Sequence, residues 1–477
     1  MARPPEHVFV LMLENRSFDH MLGFSGLTGV DAETGGAAAI DGLTGGESNA
    51  FGGVTYPVVL GADYVMPADP GHDFSFVLDQ LCGPAARYAP PYPPVDGSGF
   101  VDSYSRVSGP ATAGVVMRCF DTPRQLPVLH ALAREYAVCD RWFSSMPGPT
   151  APNRMFVHAG SSGGLDHSPT TEDVVEWETI DGFAFPRGTV FDALKKRSVP
   201  YGLYSGDEFP MVGTLKGITV FDVRRIDALA EELARDSFGP RYVFIEPSYN
   251  VLQEFRGSSS QHPFADVRDG EALIKTVYEA IRSSPVWERS LLLLLWDEHG
   301  GFYDHVAPPP AVAPDDGAQR SKYNGSGFTF AQYGVRTPAI VVSPYVARGT
   351  IDHRVYDHTS VLATVREAFG GDPLTARDAQ ARSVVPLLSL VEARPDAPRT
   401  LPTPAEGAAS SLVGGVARPG DAVNDGMLPS VLHAALRHDL LDAGASKAEI
   451  LDRVRSLASR DDALRYLTDV RARLRTP

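Results

Sequence analysis

Residues 290–306 read SLLLLLWDEHGGFYDHV. Asp297, Glu298, His299, Asp304 and His305 fall within nine positions, directly after an apolar run. Carboxylates and imidazoles at this density exceed what a polar turn needs, and they could hold a metal ion. Glu14-Asn15 has the same form, again placed at the end of an apolar run, residues 7–13. A third place is MPGPTAPNR (146–154), where Thr150 follows a Pro-Gly-Pro turn. A hydroxyl at a strand-to-helix turn lies near unpaired amides, which favour an anionic phosphoryl group.

The chemistry implied is phosphoryl transfer. Glu14, Asn15, Asp297 and Glu298 offer oxygen donors suited to one divalent ion, with Ca, Zn, Mg and Mn all open. A Thr150 hydroxyl beside that ion loses its proton more readily and can attack phosphorus in line, leaving a phosphothreonine for water to hydrolyse. His72, His262, His305 and His358 are candidates to bind phosphoryl oxygens or to protonate the leaving group. Plainer roles compete. Thr150 and His358 could cap helices, and Glu14-Asn15 could do the same.

These groups need a scaffold that releases strand ends on one side. The runs at 7–13 and 291–296 are short, uniformly apolar and stopped by acids, the form of strands buried on both faces of a parallel sheet. Ligands at such strand ends sit where open α/β sheets place their chemistry. Further steps are a helix then strand in 188–207, a strand near 238–250 ending in Glu246, and an amphipathic helix from about Asp269. A strand over 337–343 and a helix after Asp357-His358 complete the series. Residues 122–138 read as one helix. Residues 25–70 lack periodicity and suggest an excursion over the active-site face. The Pro/Tyr-rich RYAPPYPPVDGSGF (87–100) is either a cover for substrate or inert packing. The reading is an α/β/α sandwich spanning 1–391 with long active-site loops. A linker or surface wrap follows at 392–427, then a small helical region at 428–477.

Composition narrows the partners. With 43 Lys+Arg against 59 Asp+Glu the formal charge is −16, which argues against nucleic acid or an anionic membrane surface as a bulk partner. A small phosphoester or a phospholipid head group remains open, since it needs only a local site. No window is apolar enough for a membrane span. The N-terminus lacks signal-peptide form, so the expectation is cytoplasmic, or secreted if a leader was removed. Cys82, Cys119 and Cys139 match no zinc spacing and read as buried free thiols.

LMLENRSFDHMLGF, MPGPTAPNRMF, QHPF, LLWDEHGGFYDHV and YDHTSVLATV occur in this order between residues 11 and 365. Together they resemble the bacterial phospholipase C and acid phosphatase family of phosphoesterases, a branch of the alkaline phosphatase-like superfamily. The resemblance implies Glu14, Asn15, Thr150, Asp297 and Glu298 as metal ligands, Thr150 also being the nucleophile. It implies His72 and His262 at the phosphoryl group, and it leaves the roles of His305 and His358 open. Thr150 stands where the acid phosphatase branch has Ser, which favours phosphodiester cleavage of the phospholipase C type, as on phosphatidylcholine. An acid phosphatase-like monoesterase is the alternative, and an inactive binding protein on the same scaffold is the reading from another class.

Overall fold

The structure, a computed structural model, describes residues 4–84, 86–177, 181–406, 427–444, 446–457 and 459–474. Most of the 392–427 linker expectation, residues 407–426, lies outside the described residues.

Ten strands form the central sheet: β1 (His7–Leu13), β2 (Thr28–Asp31), β3 (Ala37–Ala39), β4 (Ala137–Cys139), β5 (Tyr201–Ser205), β6 (Val223–Arg225), β7 (Tyr242–Glu246), β8 (Ser290–Trp296), β9 (Ala339–Val342) and β10 (Thr350–Asp352). Their order is β6-β5-β7-β1-β8-β9-β4-β10-β2-β3. All neighbours run parallel except β9, antiparallel to β8 and β4, and β3, antiparallel to β2. Helices Val267–Ser283, Pro127–Glu135 and Asp227–Leu233 pack as one set. Thr150–Ala159, Thr359–Phe369 and Val190–Lys196 pack as another. The two sets make the outer layers of an α/β/α sandwich.

The centre of the sheet explains why the chemistry meets there. β1 and β8 pair in register from His7↔Ser290 to Leu13↔Trp296, and every residue of both is buried. Each fully buried Leu or Val contributes about 1.5–3 kcal/mol, so a one-residue slip is strongly disfavoured. In this register Glu14-Asn15 and Asp297-Glu298 leave the sheet side by side. Gly300, at φ 64°, lies against the outgoing β1 chain; a Cβ there would fall 2.2 Å from the Asn15 carbonyl oxygen. Only glycine fits both that dihedral and that approach.

Three local expectations are corrected. Residues 122–138 are not one helix: Pro127 breaks it, with Leu126 held at φ −127° and ψ 59°, and Ala137–Cys139 is strand β4. Residues 25–70 do not pass wholly over the site, since β2 and β3 extend the far edge of the sheet. In the irregular segment after Cys82, Phe100–Ser108 is a helix. Tyr88 and Tyr92 pack on Phe328 at 5.6 and 6.2 Å between ring centroids.

The C-terminal helices are Leu428–Ala443, Lys447–Ser456 and Arg460–Leu474. They share an apolar cluster with Ala151 and Met155 of the Thr150 helix. Asp439 braces them, accepting from Tyr466 Oη at 2.8 Å and Arg473 Nη2 at 2.5 Å. All three cysteines are free, with Cys119 and Cys139 buried. No helix among the described residues is long and apolar enough to cross a membrane.

Candidate active site

Thr150 is the first residue of helix Thr150–Ala159, and no side chain caps that helix. The cap position belongs to Pro149, which has no side-chain acceptor to offer. The Thr150 hydroxyl accepts from Asn15 Nδ2 at 3.2 Å. The Pro-Gly-Pro turn before it is tied by Asn153, whose Nδ2 donates to the carbonyls of Gly148 and Pro149 at 2.9 and 3.0 Å. One helical turn beyond Thr150, buried Arg154 donates from Nε to Asp297 Oδ2 at 2.9 Å and from Nη2 to the Leu13 carbonyl at 2.9 Å. The helix that carries Thr150 is thereby bound to both central strand ends.

Behind Thr150 lies a buried acid floor. Glu14, Asn15, Asp297 and Glu298 are 0% exposed. Asn15 sits at φ 57°, a left-handed value that asparagine tolerates better than most residues. Its amide N–H donates to Asp297 Oδ1 at 3.0 Å, and its Nδ2 also meets Glu298 Oε1. Both Glu14 carboxylate oxygens and Asn15 Oδ1 lack hydrogen-bond partners. Burial and then the Asp297 charge hold the Glu14 carboxyl well above its ordinary range. Burial pushes Asp297 up to about 6 against the pull of Arg154. Burial opposes ionisation of Glu298 too, but His72 and His299 bring it below the ordinary value. Buried orphan oxygens of this kind are costly unless something compensates them. Three acids, an amide oxygen and a hydroxyl fit one hard or borderline divalent cation.

In front of Thr150 opens a cavity of about 450 Å³, also lined by His72, His262 and Asp69. His72 Nδ1 donates to the Pro70 carbonyl at 2.8 Å. Burial disfavours its charge, yet the carboxylates of Glu298 and Asp69 raise it to about 10. His262 is lowered by burial, against the attraction of Asp69, whose Oδ2 lies 3.4 Å from Nε2. Its Nδ1 accepts the Phe264 amide at 3.2 Å and its ring stacks on Phe255 at 3.5 Å. Arg16 fixes this loop through the Gln261 and His262 carbonyls at 2.7 and 3.2 Å.

His305 and His358, expected at the phosphoryl group, are not among the residues lining this cavity. His358 is fully buried behind the floor, donating from Nε2 to the Asp297 carbonyl at 2.5 Å and accepting from Trp142 at 3.2 Å. Burial lowers it to about 4. His305 pairs with Asp19 at 2.7 Å and Asp41 at 3.3 Å. Asp19, Asp304 and His305 do offer ligand atoms within 4.8 Å of one another, a candidate metal-coordinating cluster. The Arg336 guanidinium already bonds this group, to Asp304 Oδ1 at 2.8 Å and Asp19 Oδ1 at 3.0 Å. The acid floor has unpaired oxygens, whereas these carboxylates are compensated.

The motifs bind each other as well. Arg16 N–H donates to the Glu298 carbonyl at 2.9 Å, Ser17 Oγ to the Tyr303 carbonyl at 2.7 Å, and Asp19 N–H to Asp304 Oδ2 at 3.1 Å. Arg16, Asp19, Asn153 and Arg154 stand in the same motifs as the expected site residues, yet nothing in their local sequence marks them as site residues. Asp69 and Arg336 carried no local signal.

A profile of the Phosphoesterase family matches residues 5–371. This chain belongs to that family. The family expected from the motifs is the one found. Non-specific phospholipase C6 of Arabidopsis thaliana is 35% identical over 416 residues, spanning 84% of this chain and 75% of its own. Phospholipase C B of Mycobacterium tuberculosis is 28% identical, spanning 76% and 73%. Among solved structures, the phosphonate monoester hydrolase of Agrobacterium radiobacter matches at 10% identity and a TM-score of 0.35, covering 81% of this chain and 77% of its own. The protein is a phosphoesterase related to phospholipases C, with a candidate metal-binding site.

Proposed function

We propose that this phosphoesterase is a metal-dependent phosphoric ester hydrolase of the phospholipase C type, acting on a phosphodiester through a phosphothreonine at Thr150. The observation that carries this is the position of Thr150. Its hydroxyl, held by Asn15 Nδ2, stands between an open cavity and a floor of orphan oxygens from Glu14 and Asn15. Glu14, Asn15, Thr150, Asp297 and Glu298 would hold one divalent ion. Such an ion, when bound, supplies Lewis-acid stabilisation of charge on the phosphoryl oxygens and eases loss of the hydroxyl proton. Asn15 Nδ2 orients the hydroxyl, and Arg154 fixes the helix that carries it. The Thr150 hydroxyl gives its proton to water, and Oγ bonds to phosphorus as the bond to the departing alcohol breaks. His72, held cationic, gives that alcohol its proton, and His262, with Nε2 3.4 Å from Asp69, lines the cavity beside it. Water then cleaves the phosphothreonine and restores Thr150.

A second reading, a monoesterase on soluble substrates, draws support from the same cationic His72, which suits a dianionic phosphate. The deciding assay compares phosphatidylcholine, p-nitrophenylphosphorylcholine and p-nitrophenyl phosphate with different divalent ions. Diacylglycerol release supports the phospholipase reading; activity confined to the monoester rejects it. Thr150→Ala is expected to abolish turnover, and substantial retained turnover would reject the nucleophile.

A further inference from the structure

The residue before His72 and the residue after Glu298 are held by the same side chain. Gln80 stands in helix Phe74–Cys82 and is 1% exposed. Its Nε2 donates to the Gly71 carbonyl at 2.7 Å and to Ser103 Oγ at 3.1 Å. A carbonyl only accepts, so the amide nitrogen faces Gly71. The amide oxygen therefore faces His299, whose Nε2 lies 2.8 Å away and carries the proton it donates. The other edge of that ring places Nδ1 3.4 Å from Glu298 Oε2, the oxygen that also accepts the Gly300 amide at 2.7 Å. One buried amide thus connects the acid floor to the chain that enters His72.

The segment before His72 is closely packed. A Cβ at Gly71 would fall 2.3 Å from the Phe76 ring. A Cβ at Gly301 would fall 2.7 Å from Pro70 Cβ and 2.8 Å from the Gly71 carbonyl oxygen. Pro70-Gly71 therefore packs directly on Phe76 and on the Gly-Gly turn that follows His299. Such packing has no direction of its own and limits approach more than sliding. The two Gln80 bonds are directional and fix the segment along the turn. His72 spends Nδ1 on the Pro70 carbonyl, which leaves Nε2 as the atom that reaches a substrate. A reacting group displaced by about 1 Å can cost roughly a hundredfold in rate.

We propose that Gln80 is a positioning residue: by holding the Gly71 carbonyl and His299 together, it sets His72 where it protonates the departing alcohol. This rests on the phosphoesterase reading of the Thr150 cavity and adds to it a residue that does not line that cavity. The test compares a leaving group that needs a proton with one that does not. Dihexanoyl phosphatidylcholine releases an alkyl alcohol, and p-nitrophenylphosphorylcholine releases a stable phenolate. Both are assayed with the divalent ion that supports turnover. Gln80→Met and Gln80→Leu keep the bulk of the side chain and remove both bonds. Each is expected to lower the alkyl-to-aryl ratio of kcat by roughly ten- to a hundredfold, with KM little altered. His72→Gln should lower the same ratio, and adding a Gln80 change to it should lower the ratio no further. Thermal melts show which variants fold. With turnover still dependent on Thr150, three results overturn the inference alone: an unchanged ratio in a folded variant, an equal loss on both substrates, or a loss that multiplies with that of His72→Gln. If neither Gln80 variant folds, Gln80 serves the core and the inference falls. Absence of turnover on both substrates in the unaltered protein overturns it together with the reading beneath it.

Discussion

Arg154 links the helix that carries Thr150 to the buried acid floor through a single side chain. Its guanidinium is buried, lies 2.9 Å from Asp297 and spans to the Leu13 carbonyl. Removing one partner of such a pair strands the other charge, which costs about 3–5 kcal/mol. Arg154→Met is therefore expected to lower the urea midpoint by that equivalent and to reduce kcat sharply. A variant with unaltered stability would refute the assignment. Asp297, Glu298 and Thr150 stood out in the sequence because acids and hydroxyls are conspicuous beside apolar runs. Arg154 did not, because one turn of helix, not adjacency, brings it to the site. Asp69 was less legible still. It reaches the cavity through tertiary packing across many residues, which leaves no periodic or local mark.

At the level of elements, Arg336 clamps the segments that follow β1 and β8 together. Asp304 and Asp19 accept from its Nε and Nη2, and the same carboxylates accept the amides of Asp19 and His305. Arg336→Gln should speed hydrogen exchange at these two amides by about an order of magnitude or more, since the loss of a charge-assisted bond is typically about 1.5–3 kcal/mol; unchanged exchange would count against the clamp. A second tie has a pH signature. The hydrogen bonds that the protonated His167 ring donates to Asp166 and then Asp173 raise it from 6.5 to about 9. Its stabilisation is fully present below pH 6.5 and is lost as pH rises through 9. The melting-temperature gap between the native protein and His167→Gln should shrink across that window, and a gap independent of pH would exclude the ion pairs as its source. The long apolar strands were legible from their runs. The three-residue strands Ala37–Ala39, Ala137–Cys139 and Thr350–Asp352 were not, because so short a segment has no readable period.

For the whole molecule, a cation on the acid floor would bind the folded chain and not the unfolded one. Chelation should then lower the melting temperature, and a divalent ion at about 100 times its Kd should restore roughly 2.7 kcal/mol. A melt insensitive to both would exclude a tightly held ion. The order of synthesis also follows from the sheet. β1 is made before its neighbours, residues 242–246 and 290–296, so the emerging chain carries HVFVLML without a partner until the first of them is made. Contacts this distant form late, and an unpaired apolar strand is an aggregation hazard. A ribosome-bound chain halted before residue 241 should be captured by chaperones through its first strand, and placing a lysine at Val10 should weaken that capture. Capture is expected to fade as Tyr242–Glu246 and then Ser290–Trp296 are made and both edges of β1 become paired.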